Sequence, residues 1–511
     1  MIRAASSRVR WLVLIGIPLL AFFTLLSWSF ASPVGSSPDD DFHLPSIWCG
    51  AGERAGLCET VDASTDRLIP TAIVNAPCFA FHPDVDAACW DPSTSGMTKV
   101  TRANADGLYP PVFYAVMSVF ASDDVQRSVI VMRIVNSAFA VVLLTGTFLA
   151  LPRRLRPALV VSVIATAVPL GLFIYASTNP SSWALLSAAV LWPSLYAATQ
   201  TTGRRRVVLA CLSVFATLIG AGARADAAVF AVFGAALAIF LGVKRIREWR
   251  DQIPPLVSCA LMLGISLAFY FSARQGGAAL GGLDPAAERL SLGQHLSNFL
   301  EVPALWTGAL GQSNLGWFDT RMPAAVWVLS TTVFAGALFV GMRGARGRRA
   351  TAIIASLAAM WVVPFALLAQ SNALVGATVQ PRYILPLLII ALGVATLRAD
   401  IESAWDGLRF WLAGACLTVG AAVALHQNIQ RYTTGSEGDS IDPGAGAQWW
   451  WTGAPSPMVV WAIGSIAFAG VIVLLWIAKR LPPRMLDEQE RSAPHRRPWT
   501  RTSQPDAHRV G

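Results

Sequence analysis

Residues 11–43 read WLVLIGIPLLAFFTLLSWSFASPVGSSPDDDFH, an apolar run followed directly by an acidic cluster. The apolar run, Trp11 to Ala31, is long enough to cross a lipid bilayer as a helix. Three arginines precede it, at positions Arg3, Arg8 and Arg10. Because basic residues beside a span stay on the cytoplasmic side, the sequence predicts that the acidic cluster leaves the membrane on the extracytoplasmic side.

A cleaved signal peptide is the alternative interpretation of this segment, with Phe30-Ala31-Ser32 as the cut region. The apolar stretch is longer than the usual core of a signal peptide, which favours a helix that is retained. With either interpretation the acidic cluster lies outside.

The composition of the chain is that of a membrane protein. Of its 511 residues, 54% are hydrophobic and only 14% are charged, and the mean hydropathy is +0.53. Apolar runs of about 18 to 22 residues recur along the whole chain, which excludes one or two apolar soluble domains. The net charge of +9 comes from short basic groups between these runs, so it indicates membrane topology and no nucleic-acid partner.

The pattern predicts an all-α polytopic membrane protein with about twelve transmembrane helices, within a range of about ten to thirteen. The predicted spans are 11–31, 129–151, 158–176, 181–200, 207–222, 226–243, 255–273, 323–342, 350–370, 384–398, 410–425 and 458–478. Only Gly222-Ala223-Arg224-Ala225 separates the fifth from the sixth, so this pair is either two helices or one broken helix.

Basic clusters fall in every second loop, which predicts that both termini are cytoplasmic in a multi-pass plasma-membrane protein. These clusters lie at 153–156, 204–206, 244–250, 343–349, 398–409 and from 479 onward. The predicted organisation is a cytoplasmic N-terminus with the first helix (1–31), a large extracytoplasmic loop (32–128), a multi-helix transmembrane domain (129–478) with external loops 274–322 and 426–457, and a disordered cytoplasmic tail (479–511).

Two aromatic segments in the external loops suit the membrane surface. Tyr109 to Met117 begins with Tyr-Pro-Pro, which suits the start of a short helix. This helix either lies in the outer interface or is an ordinary surface helix. Trp449-Trp450-Trp451 is either an interface anchor or a stacking surface for sugar rings.

Four of the seven cysteines lie in the first external loop, where an even number predicts disulfides. Short local loops favour the pairs Cys49–Cys58 and Cys78–Cys89. A zinc site is the alternative, but no Cys-x-x-Cys spacing supports it.

Polar and ionisable residues collect at the predicted outer helix ends, the side of the acidic cluster. They are Arg133, Asn179-Pro180-Ser181-Ser182, Arg224, Asp226 and Gln380-Pro381-Arg382-Tyr383. Each alone is explained by snorkelling or by an ion pair between helices, but together they predict an outward-facing polar cavity. Arginine is the natural partner of a phosphate in such a cavity.

Three ordered motifs resemble the bacterial domain-of-unknown-function 2142 family, which is placed in the GT-C superfamily of membrane glycosyltransferases. They are Pro38-Asp39-Asp40-Asp41-Phe42-His43, Leu315-Gly316-Trp317-Phe318-Asp319-Thr320 with Pro323, and Gln380-Pro381-Arg382-Tyr383-Ile384-Leu385-Pro386. The first resembles Pro-Asp-Glu-x-x-His with Asp40 in place of Glu. The third resembles Gln-Gly-Arg-Tyr-x-Leu-Pro with Pro381 in place of Gly.

The resemblance implies a GT-C-like fold, a sugar donor on polyprenyl phosphate and an extracytoplasmic glycan, lipid or protein acceptor in the cell envelope. A carboxylate then takes the proton of the acceptor hydroxyl while that oxygen attacks the sugar C1, which inverts the anomeric centre. Asp40 or Asp39 is the expected base, with Asp41 beside it and His43 orienting it or meeting the phosphate.

The leaving phosphate needs positive charge, from arginine or from a divalent ion (Mg²⁺, Mn²⁺ or Ca²⁺) bound by Asp39 and Asp40. The expected substrate-binding residues are Arg382, Tyr383, Gln380, Arg224, Asp226, Arg133, Asp319 and Trp317.

A polytopic transporter or flippase for a lipid-linked or envelope precursor is the alternative function, since many such proteins have about twelve spans and broken helices. Transporters keep their key ionisable groups near the bilayer midplane, whereas this sequence places them at the external ends of its helices.

Overall fold

The structure is a computed structural model that describes residues 2–62, 64–243, 252–274, 288–377, 379–398, 401–436 and 438–481. The predicted basic loop at 244–250, the glycine-rich start of the second external loop and the predicted tail from residue 482 lie outside these described residues. Within them the chain is mostly helical with one small sheet, which confirms the all-α polytopic prediction.

In the described part of the chain, nine helices are long and apolar enough to cross a membrane. They are Ile2–Phe30, whose apolar part begins at Trp11, Val125–Ala150, Gly203–Ala223, Ala225–Gly242, Ile253–Ser272, Ala324–Met342, Gly347–Gln370, Leu408–Thr434 and Pro457–Arg480. The predicted fifth and sixth spans are two separate helices, with Arg224 alone between them.

The other three predicted spans form helices that are broken, short or enclosed. The span 158–176 is two helices, Arg156–Ala167 and Leu170–Tyr175. Pro381–Ala395 covers the span 384–398, and Ser181–Gln200 matches its span. All residues of Ser181–Gln200 except Tyr196 and Gln200 are buried. A helix enclosed by other helices meets little lipid, so it can carry serines that a lipid-facing helix would avoid.

The remaining described helices and strands are each shorter than a typical transmembrane helix. The helices are Asp40–Trp48, Thr71–Val74, Val112–Met117, Leu292–Thr307 and Ile401–Ala404, with a π-helical turn at Gly308–Gln312 and 3₁₀ turns at Ala87–Cys89, Asn104–Asp106, Ser118–Phe120 and Arg153–Leu155. The strands β1 (Glu59–Thr60), β2 (Arg67–Pro70) and β3 (Met97–Val100) form an antiparallel sheet in the order β1-β2-β3, with Glu59 opposite Leu68 and Leu68 opposite Lys99.

Both predicted disulfides are present in the segment between the first two long helices, which we call the first loop (residues 31–124). Cys49 joins Cys58 and Cys78 joins Cys89, so the predicted pairing is confirmed. The disulfides close local loops beside the sheet, where a segment of this size has little core of its own. We call the end of the helical bundle that carries the first loop the loop end, and the opposite end the basic end.

Arginines at the basic end satisfy the last carbonyl groups of several helices. Arg205 donates to the carbonyl oxygens of Ala150 and Leu151, both at 2.8 Å. Arg349 donates to Ala395 O at 2.9 Å and Arg398 to Val340 O at 2.9 Å. The last carbonyls of a helix have no intrahelical partner and carry partial negative charge, so these arginines have a structural role.

Close helix packing around Ser181–Gln200 depends on glycines that face it. A Cβ atom at Gly220 would lie 2.4 Å from the Cβ of Ser187, and one at Gly393 would lie 2.5 Å from Cζ2 of Trp192. Backbones approach this closely only where one helix has no side chain, as is usual between membrane helices.

We expect Gly220→Ala to destabilise the protein by about 1–3 kcal/mol, because the added methyl group overpacks a closed interface. The matched control is Gly146→Ala, since a Cβ at Gly146 meets nothing within 4 Å and alanine favours the helix by about 1 kcal/mol. Thermal unfolding in detergent measures both. Equal midpoints for the two variants would contradict the packing argument.

Candidate active site

The acidic motif follows a buried turn, residues 31–39, that side chains from distant parts of the chain hold in shape. Asn179 Nδ2 donates to Pro38 O at 2.9 Å and to Ser37 Oγ at 3.2 Å. Trp317 Nε1 donates to Gly35 O at 2.8 Å, and Gly35 has a φ of 80°, a conformation that suits glycine. The turn therefore positions the acids with little freedom to move.

Arg133, an expected substrate-binding residue, is part of this support. It is 1% exposed, and its guanidinium donates to Ser29 O at 3.2 Å and Pro33 O at 2.6 Å, as well as to Ser32 O and Ser36 Oγ. The structure thus places Arg133 behind the turn, with its two terminal nitrogens already bonded to protein oxygens.

Asp39 and Arg382 join the first and third motifs in an ion pair, across 343 positions of sequence. Asp39 ends the turn with a φ of 60° and precedes the helix Asp40–Trp48. Its side chain is 26% exposed, whereas that of Arg382 is 1% exposed. Burial acts to raise the pKa of Asp39, but the charge and hydrogen bond of Arg382 outweigh it, so the pKa is lowered. Asp39 is therefore an ionised carboxylate open to the surroundings.

Asp40 has the opposite environment. It is 1% exposed and accepts hydrogen bonds from Ser37 N at 3.0 Å and Thr178 Oγ1 at 3.3 Å. Burial raises its pKa to about 7, although the charge of Arg133 opposes this shift. The two neighbouring acids thus differ in both access and protonation, which sequence reasoning left undecided.

Asp41 is partly exposed: its Oδ2 is paired with Arg102, whereas its Oδ1 is buried and has no partner among the described residues. Burial raises its pKa, and the Arg102 charge opposes the rise. Arg102 is 59% exposed at its side chain, so this pair is close to solvent and contributes little to stability.

His43 is fully buried on the same helix. Its Nδ1 lies 2.9 Å from the hydroxyl of Tyr114, while its Nε2 has no hydrogen-bond partner among the described residues. Burial lowers the pKa of His43 to about 3, against the opposing charge of Asp39. His43 is therefore a neutral imidazole with one nitrogen fixed and the other available to a ligand.

Tyr114 lies on Val112–Met117, the helix that the sequence predicted at the interface. Phe113, Tyr114 and Met117 are buried, whereas Val116 on the same helix and Val119 after it are exposed. One side of the segment therefore packs on the site and the other is free to meet lipid or solvent.

A second arginine lies beside the Asp39–Arg382 pair. Arg224 forms a two-pronged ion pair with Asp226 at 2.9 and 2.8 Å. Its guanidinium lies 4.9 Å from the ring centre of Tyr383 and 5.5 Å from that of Tyr109. Arg382 lies 5.0 Å from the same Tyr383 ring, so Tyr383 faces both arginines.

Several buried donors and acceptors around this cluster have no partner within the described ranges. They are His43 Nε2, Arg382 Nε, Arg382 Nη1 and Gln380 Oε1. An unpaired buried polar group costs about 1–3 kcal/mol, and more when it is charged. Such groups in one place indicate a ligand that supplies the missing partners, and the Arg382 donors select an acceptor-rich group such as a phosphate.

The second motif holds a buried ion pair that fastens the first loop. Asp319 Oδ2 accepts from Arg431 Nη2 at 3.1 Å, and both side chains are 2% exposed. Arg431 also donates to Val85 O, Phe79 O and His82 O, at 2.6 to 3.1 Å. Asp319 and Trp317, expected to bind substrate, therefore lie where they anchor the loop that Cys78–Cys89 closes.

Arg431 was absent from the sequence prediction, because the span 410–425 was drawn too short. The helix Leu408–Thr434 continues to the loop end, and Asn428, Arg431 and Tyr432 are buried there. The signal available in the sequence was the unbroken run Leu425 to Tyr432, which lacks glycine and proline.

The described residues contain no group of three or more His, Cys, Asp or Glu side chains able to hold a metal ion. Asp39 is engaged by Arg382, and Asp40 by Ser37 and Thr178. The pair expected to bind a divalent ion thus faces other partners in this structure.

The family model described as a predicted membrane protein (DUF2142) matches residues 22–391. The chain belongs to this family. The match contains all three motifs, which this DUF2142 protein brings together around the turn 31–39. No curated protein and no solved structure matches the chain.

We expect Asp319→Asn to destabilise this DUF2142 protein by about 3–5 kcal/mol, because it leaves the buried charge of Arg431 without its counter-ion. The control is Asp106→Asn, which breaks an exposed pair with Arg274 and should cost about 0–1 kcal/mol. Thermal unfolding midpoints in detergent compare the two. An Asp319→Asn midpoint equal to that of the control would show that the buried pair does not support the loop.

Proposed function

We propose that this protein is a GT-C-type membrane glycosyltransferase that moves a sugar from a polyprenyl-phosphate donor to an extracytoplasmic glycan, lipid or protein acceptor of the cell envelope. The observation that carries the proposal is the pairing of accessible, ionised Asp39 with Arg382, whose Nε and Nη1 have no partner among the described residues. The Asp39 carboxylate is suited to accept a proton, and the Arg382 guanidinium is suited to bind an anionic leaving group.

In the proposed step, Asp39 takes the proton from an acceptor hydroxyl while that oxygen forms a bond to C1 of the sugar. The bond from C1 to the phosphate oxygen breaks, and its electron pair stays on the phosphate. Geometry comes before pKa in choosing a general base, and Asp39 is accessible whereas Asp40 is buried. Direct displacement inverts the anomeric centre.

Arg382 stabilises the negative charge that develops on the leaving phosphate. Its bond to Asp39 lowers the basicity of that carboxylate, so a phosphate that draws the guanidinium toward itself would raise the Asp39 pKa toward its ordinary value. Donor binding thereby strengthens the base. His43 Nε2, on a neutral imidazole and without a hydrogen-bond partner in the described part of the chain, would bond the phosphate or the acceptor.

Asp40 is assigned a positioning role. Its bonds to Ser37 N and Thr178 Oγ1 tie the start of the acidic helix to the chain before Asn179. Asp41, Arg224, Tyr383 and Gln380 complete the surroundings of the donor. A divalent ion, if the enzyme uses one, would supply further positive charge at the phosphate.

We expect Asp39→Asn to lower sugar transfer by about 10²–10⁴-fold, as for loss of a general base, without loss of folding. The assay is transfer from a polyprenyl-phosphate sugar by purified protein in nanodiscs. Asp40→Asn keeps an oxygen for Ser37 N and should lose less. Greater loss in Asp40→Asn would reverse the two roles, and near wild-type transfer in both would remove the acidic motif from catalysis.

In the same assay, Arg382→Lys keeps the charge but not the planar fork, so it should weaken donor binding more than Arg274→Lys, a change at an exposed residue. If no polyprenyl-linked sugar is consumed while a lipid-linked precursor crosses the membrane of proteoliposomes, the protein is a transporter or flippase and the glycosyltransferase proposal fails.

The proposal places the loop end outside the cell and the basic end in the cytoplasm. We expect Ser95→Cys, at an exposed position of the first loop, to react with an impermeant maleimide in intact cells. The background lacks Cys211, Cys259 and Cys416, the free cysteines. Arg346→Cys, exposed at the basic end, should react only after permeabilisation. The reverse pattern would refute this sidedness.

A further inference from the structure

Two adjoining apolar cavities, of about 480 and 200 Å³, lie between helices away from the candidate active site. Leu14, Ile17 and Ile164 line both, so the cavities form one groove. Its walls come from the first helix, the helices Val125–Ala150 and Arg156–Ala167, and the last two long helices. The groove is enclosed on several sides, unlike the outer surface of a single helix.

The long axis of the groove follows the helix axes, from the basic end toward the loop end. On the first helix it extends from Val13 to Leu25, which at 1.5 Å per residue is about 18 Å. This length suits an acyl chain reaching from a headgroup toward the bilayer centre, since the hydrocarbon core is about 30 Å thick.

The end of the groove at the basic end is positively charged. Arg153, Arg156 and Lys479 line it, and Glu402 is its one acidic lining residue in the described part of the chain. Lys479 Nζ donates to Trp405 O at 2.9 Å and forms an ion pair with Asp406 at 3.2 Å, which offsets part of this charge. Arg156 also donates to Leu151 O at 3.0 Å and to Leu149 O at 3.2 Å, so its role toward an anion is that of a nearby charge. Trp405 lies in the same rim, and tryptophan prefers the headgroup region of a bilayer.

The groove is distinct from the candidate active site, since neither the acidic motif nor Arg224 or Arg382 is among its described lining residues. Leu25, Leu172 and Tyr175 line its upper end, next to Trp28 and Phe173, which are buried and meet edge to face at 6.4 Å. Beyond those rings lies the turn 31–39. The charged lining residues of the groove lie at the basic end, so an anionic occupant places its charge there.

We propose that the groove binds one anionic phospholipid, with its acyl chains between the helices and its headgroup phosphate among Arg153, Arg156 and Lys479. The basic rim provides charge complementarity, and guanidinium groups form strong charge-assisted bonds with phosphate. The bound lipid fills a space between the first helix and the last two long helices, so it also stabilises their packing. This site is independent of the proposed catalytic function.

The test is native mass spectrometry of the delipidated protein titrated with phosphatidylglycerol or phosphatidylcholine. We expect phosphatidylglycerol to bind more tightly and to raise the unfolding temperature. The double variant Arg153→Gln with Lys479→Gln should weaken phosphatidylglycerol binding by about ten- to thirty-fold, since each basic residue near an anionic headgroup contributes about 1 kcal/mol.

A second variant, Ala413→Phe, fills the groove without changing its charge and should weaken both lipids. The matched control is Arg343→Gln, an exposed arginine at the same end that does not line the groove, which should leave binding unchanged. Equal affinity for the two lipids, or unchanged phosphatidylglycerol binding in the charge variant, would overturn the proposal. Displacement of phosphatidylglycerol by polyprenyl phosphate at equal concentration would overturn the identity of the occupant.

Discussion

The turn between the first helix and the acidic motif must satisfy its polar backbone where little water reaches it. It does so with side chains from remote parts of the chain. Asn428 Nδ2 donates to Ala31 O at 2.9 Å, Trp451 Nε1 to Phe30 O at 2.8 Å and Trp317 Nε1 to Gly35 O at 2.8 Å. Arg133 and Asn179 complete the set. Buried carbonyl groups rarely remain unbonded, so this requirement fixes the helices relative to one another.

The shape of the turn also gives Asp39 at its end and Asp40 after it different surroundings. Asp40 lies on the buried side with backbone and hydroxyl donors, whereas Asp39 has a left-handed backbone conformation that directs it toward Arg382. A non-glycine residue in that conformation is uncommon and often marks a functional site. Two adjacent carboxylates thereby acquire different protonation behaviour from different surroundings.

Most of the long helices were predictable from the sequence, because a helix that faces lipid needs a long run of apolar residues. Val125–Ala150 and Ala225–Gly242 are visible in the sequence for that reason. The helix Ser181–Gln200 was also predicted, but its burial by other helices was not. Burial inside a bundle changes the amino-acid composition of a helix very little. The disulfide pairs were predictable because short loops close easily.

The motifs predicted that Asp39 and Arg382 lie close together, but they did not predict the contacts of the other candidate residues. Ordered motifs indicated that Asp39 and Arg382 belong to one site. The sequence did not show that the donors of Arg133 meet carbonyl oxygens, because backbone partners carry no signature in side-chain identity. Arg431 was not predicted because the helix Leu408–Thr434 extends beyond the apolar segment from which the span 410–425 was predicted.

The bonds from Asn428 and Trp451 to the end of the first helix affect how the protein is made. The first helix enters the membrane at the start of synthesis, but its partners emerge only near the end. Its last turn also depends on packing against Pro457–Arg480, where a Cβ at Gly464 would lie 2.7 Å from the Cβ of Ser27. During synthesis the carbonyl groups of Phe30 and Ala31 therefore lack these two side-chain partners until the last helices are made, whereas Arg133 and Asn179, which bond the rest of the turn, are made early.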